Sequence, residues 1–219
     1  MERNLKPVAG NATVAQQVYE VVKARIFDGT YGPDMRLTEL QIASEFETSR
    51  TPVREAMRLL AADGLVVFKP NSGTLVRSWT TQQIRQIFEL RVLIESEVAR
   101  LAALHITAAQ IDQLRAVQDD MESGGVDIAE ANAARMAPLN RQFHRVIADA
   151  CQNDRLVDSL ASAIEMPIVQ RTFRTYSPAQ LRRSFNHHRE LIDAFACGDA
   201  AWAESVMSCH IHSAKHTLL

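Results

Sequence analysis

The hydrophobic period of this chain changes character only once, and that change limits the folds open to it. In "GLVVFKPNSGTLVRSW", residues 64–79, two short runs rich in Val, Leu and Phe flank a Pro-Asn-Ser-Gly cluster. Such runs around turn formers read as strands, so we expect a hairpin. Its parts are a strand at Leu65–Phe68, a turn at Lys69–Gly73 and a strand at Thr74–Arg77. On either side of it, apolar residues recur at helical spacing.

Ahead of the hairpin, Val14, Val18, Val21, Val22 and Ile26 fall on one helix face, with Thr13 as N-cap and Gly29 as stop. The loop "GTYGPDMR" follows. In "LTELQIASEF", Thr38 and Gln41 fit a capping box. The Glu47–Thr48 turn then leads into a third helix. Three helices and a hairpin predict a winged helix-turn-helix over residues 1–78. From Thr80 onward the signals are helical, at roughly 81–104, 108–122, 127–150, 154–174, 178–196 and 200–217. Ser177 before Pro178 makes a good N-cap and first-turn pair. Short breaks between these helices imply an all-α antiparallel helical bundle over residues 79–219. The fold class expected is mostly α.

Charge excludes a bulk polycation. The chain carries 24 Lys+Arg against 26 Asp+Glu, and residues 1–78 hold ten against nine. Any contact with nucleic acid must therefore be local. Three cysteines without a CxxC pair point to a reduced, cytoplasmic setting. The first residues lack an apolar signal core, and no apolar run is long enough to span a membrane.

The stretch "SRTPVREAM", Ser49–Met57, is where a local contact is expected. Pro52 fits only a first turn, so a helix starts near Ser49 or Thr51. Val53, Ala56, Met57 and Leu60 form its buried stripe, while Arg50, Arg54 and Arg58 share another face. Free N–H groups at a helix start favour anions, and arginine suits phosphates and guanine edges. A second helix of a helix-turn-helix presents this end to the DNA major groove. The plainer alternative is a capped surface helix with solvated arginines.

The whole segment "LTELQIASEFETSRTPVREAMRLLAADGLVVFKPNSGTLV" resembles the winged helix-turn-helix of GntR-type bacterial transcription regulators. Ile42 stands where Leu is usual, Thr48 where Val is usual and Met57 where Leu is usual. None of these alters a DNA-facing group. The resemblance implies that Arg50 and Arg54 read bases or clamp phosphates; Arg58 is expected to contact DNA because it shares their helix face. It implies backbone contacts from Ser49 and Thr51, a phosphate contact from Arg36, and a wing tip at Gly73 that approaches the minor groove. The partner implied is double-stranded DNA with a pseudo-palindromic operator, bound by a homodimer.

In the helical half, histidines fall on faces that ought to be apolar. His144 shares a face with Ala137, Ile147, Ala148 and Cys151; His188 with Leu181, Leu191, Ile192 and Phe195; His210 with Ala203, Val206, Met207 and Ala214. His187, His212 and His216 lie off these stripes, and Asn140 sits one turn before His144. Each histidine could be a satisfied core residue. One divalent ion shared by three helices would also supply the partners that buried polar groups need.

"LNRQFHRVI" and "HHRELIDAFACGDAAWAESVMSCH" resemble the FCD effector domain of the FadR subfamily. That resemblance implies a divalent metal ion, zinc or nickel foremost, held by Asn140, His144, His188 and His210. Gly198 and Asp199 complete the matching pattern. Asn140 replaces the Asp of many metal-binding members, and a neutral amide is a weaker ligand. The resemblance also implies a small carboxylate effector, with Arg91 as its binding residue. The residues alone equally allow an internal Arg91–Glu95 pair, or a bridge from Arg91 to the DNA-binding half. Two rivals remain open at this point. A three-histidine metal could activate water in an enzyme, although Glu190 and Asp193 lie off the His188 stripe. The helices could also form a ligand-free dimerisation bundle.

Overall fold

A computed structural model describes residues 13–69, 73–126, 130–164 and 166–219. The chain divides into two compact units, ending at Trp79 and beginning at Thr80.

The first unit comprises α1 (Val14–Phe27), β1 (Arg36–Leu37), α2 (Glu39–Glu45), α3 (Arg50–Ala62), β2 (Val66–Lys69) and β3 (Gly73–Val76). Thr13 and Gln16 close a full capping box on α1. On α2 only half of the expected box forms: Thr38 accepts from the Gln41 backbone N–H, with no return contact from the Gln41 side chain. The α3 stripe is as expected, since Val53, Ala56, Met57 and Leu60 are buried. They pack with Val18, Val22, Ile42, Phe46, Leu65 and Val76 into the core of this unit.

The hairpin pairs antiparallel, with Val66 opposite Val76 and Lys69 opposite Gly73. Each strand is one residue out from the range expected, and residues 70–72 of the turn lie outside the described residues. A third strand was not expected. The two-residue β1 pairs with β3, placing Arg36 opposite Leu75 and Leu37 opposite Thr74. The sheet order is β1-β3-β2.

The second unit comprises α4 (Thr81–His105), α5 (Ala108–Ser123), α6 (Glu130–Ala150), α7 (Asp154–Ala163), α8 (Met166–Thr175), α9 (Pro178–Cys197) and α10 (Ala200–Lys215). Capping boxes at Thr80, Thr107 and Ser177 start α4, α5 and α9. Gly198, in the left-handed region at φ +66°, ends α9, and Asp199 caps α10. Residues 127–129, the expected start of the third helix here, lie outside the described residues.

The single helix expected over 154–174 is two helices. Ile164 turns extended at the end of α7, and Pro167 enters the first turn of α8. Proline removes an internal helix hydrogen bond, so a first turn accommodates it best. Pro138 shows the opposite outcome, because α6 continues through it. In packing, α4 lies against α10, α6, α7 and α9, while α5 lies against α6 and α9. His144, His188 and His210 thus arrive from α6, α9 and α10.

Candidate functional site

In the first unit, Arg50 and Arg54 stand in the opening turns of α3. Ser49 is the N-cap, yet its hydroxyl makes no capping hydrogen bond. Arg50 and Arg54 converge on one carboxylate. Arg54 Nε and Nη2 donate to Glu39 Oε1 and Oε2 at 2.8 and 3.0 Å, and Arg50 Nη2 donates to Oε2 at 3.0 Å. The Arg54 hydrogen bond, reinforced by Arg50 and opposed by slight burial, holds the Glu39 carboxyl down at about 2. Thr51 and Arg58 are exposed on the same helix. Arg36 and Gly73 meet at the wing. A Cβ on Gly73 would lie 3.5 Å from Arg36 Nε, and Gly73 sits at φ +79°. All seven residues expected to contact DNA are exposed.

In the second unit the three histidines come together. His144, His188 and His210 can each offer a ring nitrogen such that all three lie within 4.8 Å of one another. Ring centroids are 5.3 Å apart for His144–His210 and 4.8 Å for His188–His210. Nε2 of His144, Nε2 of His188 and Nδ1 of His210 are buried without hydrogen-bond partners. So is Oδ1 of Asn140, one helical turn before His144.

The other ring nitrogens of two of these histidines have partners. His188 Nδ1 lies 2.8 Å from Gln118 Oε1. An amide oxygen can only accept, so the His188 proton belongs on Nδ1 and Nε2 keeps its lone pair. Gln118 is itself held by Glu122, which takes two hydrogen bonds from Arg189. His144 Nδ1 lies 2.9 Å from Glu95 Oε2, a contact that is ionic only when the imidazole is protonated. Phe143 stacks on His188 with centroids 4.2 Å apart. Burial lowers the affinity of His188 and His210 for protons well below the ordinary histidine range, and neighbouring imidazoles add to it. Neutral imidazoles with free lone pairs are the form that metals take.

Arg91 is not waiting alone. Its Nε donates to Glu95 Oε1 at 2.7 Å, and its guanidinium lies over the Phe88 ring. Glu95 is 2% exposed. Burial pushes its carboxyl up, but Arg91 and His144 outweigh this and leave it at about 2. One carboxylate therefore joins Arg91 to the imidazole cluster. Tyr176 stands near, with a hydroxyl that burial raises to about 12 against the opposing effects of Ser184 and Arg91.

Sequence reasoning missed Glu39, Gln118 and Tyr176, and it set His187 aside. His187 Nδ1 is buried without a partner, and its ring lies 5.9 Å from that of His210. For Gln118 a signal existed. It interrupts the buried stripe of Leu114, Val117 and Met121, as the histidines interrupt theirs.

A winged-helix unit displaying paired arginines, joined to a helical unit enclosing three imidazoles, defines a two-unit DNA-binding regulator. Residues 14–76 match the bacterial regulatory proteins of the gntR family, and residues 86–213 match the FCD domain. The chain belongs to the GntR family of transcription regulators that carry an FCD domain, a family of regulators and not of enzymes. It is 28% identical to the HTH-type transcriptional regulator LutR of Bacillus subtilis (strain 168), covering 88% of this chain and 95% of LutR. It is 26% identical to the HTH-type transcriptional repressor RspR of Escherichia coli (strain K12), covering 94% and 89%. A GntR regulator structure from Rhodococcus sp. RHA1 shares the fold with a TM-score of 0.65 at 21% identity, covering 93% and 97% of the chains.

Proposed function

We propose that this DNA-binding regulator is a metabolite-responsive repressor whose helical unit holds a divalent metal ion, zinc or nickel, and a small organic acid. The observation that carries the reading is the set of three buried ring nitrogens without partners at one place. Leaving such groups unpaired is costly, and a metal satisfies all three at once. His144, His188 and His210 are the ligands, with the Asn140 oxygen as a weaker fourth. A zinc or nickel ion bound there supplies a Lewis-acidic position for a carboxylate oxygen. Gln118 and Glu95 orient His188 and His144, as partners behind metal ligands do.

Arg91 is the cationic partner of the effector. Glu95 already occupies its Nε–H, so an incoming carboxylate meets the guanidinium's other N–H groups. The effector changes DNA binding only through its differential affinity for two states of the chain. Repression is the sign carried by the name of RspR.

On DNA, Arg50, Arg54 and Arg58 face the major groove, Ser49 and Thr51 hold backbone, and Arg36 and Gly73 meet the duplex from the wing. The chain acts as a homodimer on a pseudo-palindrome, because helix-turn-helix readers pair half-sites. Leu90 and Leu93, 46% and 71% exposed on α4, are apolar surface available to a second copy. Among the described residues no helix is long and apolar enough to cross a membrane. The free thiols Cys151, Cys197 and Cys209 fit a reducing cytoplasm.

The test is a double substitution, His188→Ala with His210→Ala. Chelator-treated wild type should take up one zinc or nickel ion per chain and melt higher with it, and a panel of small acids should then alter DNA binding. The double variant should lose both responses and keep DNA binding. Stoichiometric metal uptake by the double variant would place the metal elsewhere.

A further inference from the structure

Glu39 is an unexpected residue on a surface meant for a polyanion. It opens α2, and its one carboxylate accepts three N–H groups from two arginines on α3. Arg54 engages it side-on through Nε and Nη2, the forked geometry that fixes a guanidinium plane. Both arginines remain open, at 62% and 55% exposed, while the Glu39 side chain is at 26%. The fork leaves the Nη1 end of Arg54 directed away from Glu39.

Reading a guanine edge requires two N–H groups held in one plane. An arginine free on its stem must be ordered at the moment of binding, which weakens every base contact that it makes. Glu39 has ordered two of them in advance. Its charge also repels phosphates and neutralises cations that would otherwise grip any duplex. These two effects act in opposite directions on specific and non-specific binding.

We propose that Glu39 is a positioning residue for sequence discrimination, ordering Arg50 and Arg54 for base edges while lowering affinity for DNA of other sequence. The proposal rests on Arg50 and Arg54 being the base-reading pair. Neither arginine is a partner of the metal or effector site, so the proposal is independent of that site.

The experiment compares full-length wild type, Glu39→Gln, Glu39→Ala and Arg54→Ala on two probes. One is a duplex selected by wild type from a random pool; the other is the same duplex scrambled. Both Glu39 variants should lower the selected-to-scrambled affinity ratio by at least about tenfold, the scale of one good bidentate base contact. Their affinity for the scrambled duplex should hold or rise. Its salt dependence should steepen by about 0.9 in slope for each arginine released to a phosphate.

An unchanged ratio in both Glu39 variants, with Arg54→Ala losing it, overturns the role of Glu39 alone. Equal loss on both probes, with a lowered melting temperature, makes Glu39 merely structural and also overturns it. An unchanged ratio in Arg54→Ala overturns the base-reading assignment beneath it.

Discussion

Gln118 is the residue through which the metal reading is most sharply tested. It touches no metal in the proposed site and only fixes the His188 proton on Nδ1. Gln118→Met keeps the volume and removes the acceptor. We expect metal affinity, read by competition with a chromophoric chelator, to fall by about 10- to 100-fold. Unchanged affinity would show that His188 needs no orientation. Protons probe the same atoms. The folded His188 and His210 resist protonation, whereas the unfolded chain takes protons near the ordinary histidine value. Their contribution to stability is therefore present above about pH 6.5 and is lost as pH falls towards their depressed folded values. Each histidine adds up to about 1.4 kcal/mol per pH unit within that window. Urea unfolding of chelator-treated protein at pH 7.5 and 5.5 measures it, and equal stability at both values would contradict the burial argument. The histidines were legible in the sequence because each interrupts an apolar stripe on its own helix. Glu39 was not, since the Arg50 and Arg54 that explain it stand 11 and 15 residues away. The Gln118–His188 pair spans 70 residues, a distance that no local pattern reaches.

Elements show where local rules suffice and where they stop. Caps are short-range chemistry, and Thr13, Thr80, Thr107 and Ser177 all start helices through a reciprocal contact with the Gln three residues on. Strand β1 has two residues, too few to show a period, and exists because β3 offers it an edge. Proline marks the boundary between local and tertiary control. Pro167 divides what reads as one helix, while Pro138 is carried inside α6. A side-chain stripe alone could not separate these outcomes. The wing provides the prediction at this scale. Gly73 is left-handed at φ +79°, and its missing Cβ leaves room beside Arg36. Gly73→Val should cost the first unit about 1–2 kcal/mol from backbone strain alone. It should also displace Arg36 and weaken binding to selected and scrambled duplexes alike, since a phosphate contact carries no sequence. A loss confined to the selected duplex would give Arg36 a base-reading role instead.

At the scale of the molecule, the proposed ion acts on the helical unit as a whole because its ligands come from α6, α9 and α10. A ligand that binds only the folded state stabilises it by mass action, about 2.7 kcal/mol at 100 times its dissociation constant. For a unit of this length that corresponds to a rise in melting temperature on the order of 10 °C. The chain provides a reporter for it. Its two tryptophans, Trp79 and Trp202, fall one in each unit. Trp202 lies on α10, and its Nε1–H donates to Glu190 on α9. In a Trp79→Phe chain, Trp202 fluorescence follows the helical unit alone. Zinc or nickel should raise the transition it reports, and chelator should reverse the rise. The His188→Ala, His210→Ala chain should not respond to either. Leu60→Ala in the same background provides the control. It opens a cavity in the core of the first unit, at a cost of about 2–5 kcal/mol, and removes no metal ligand. The metal-dependent rise should survive that substitution in full. A rise that disappears with Leu60→Ala, or persists without the two histidines, would show that the ion acts somewhere other than among the three imidazoles.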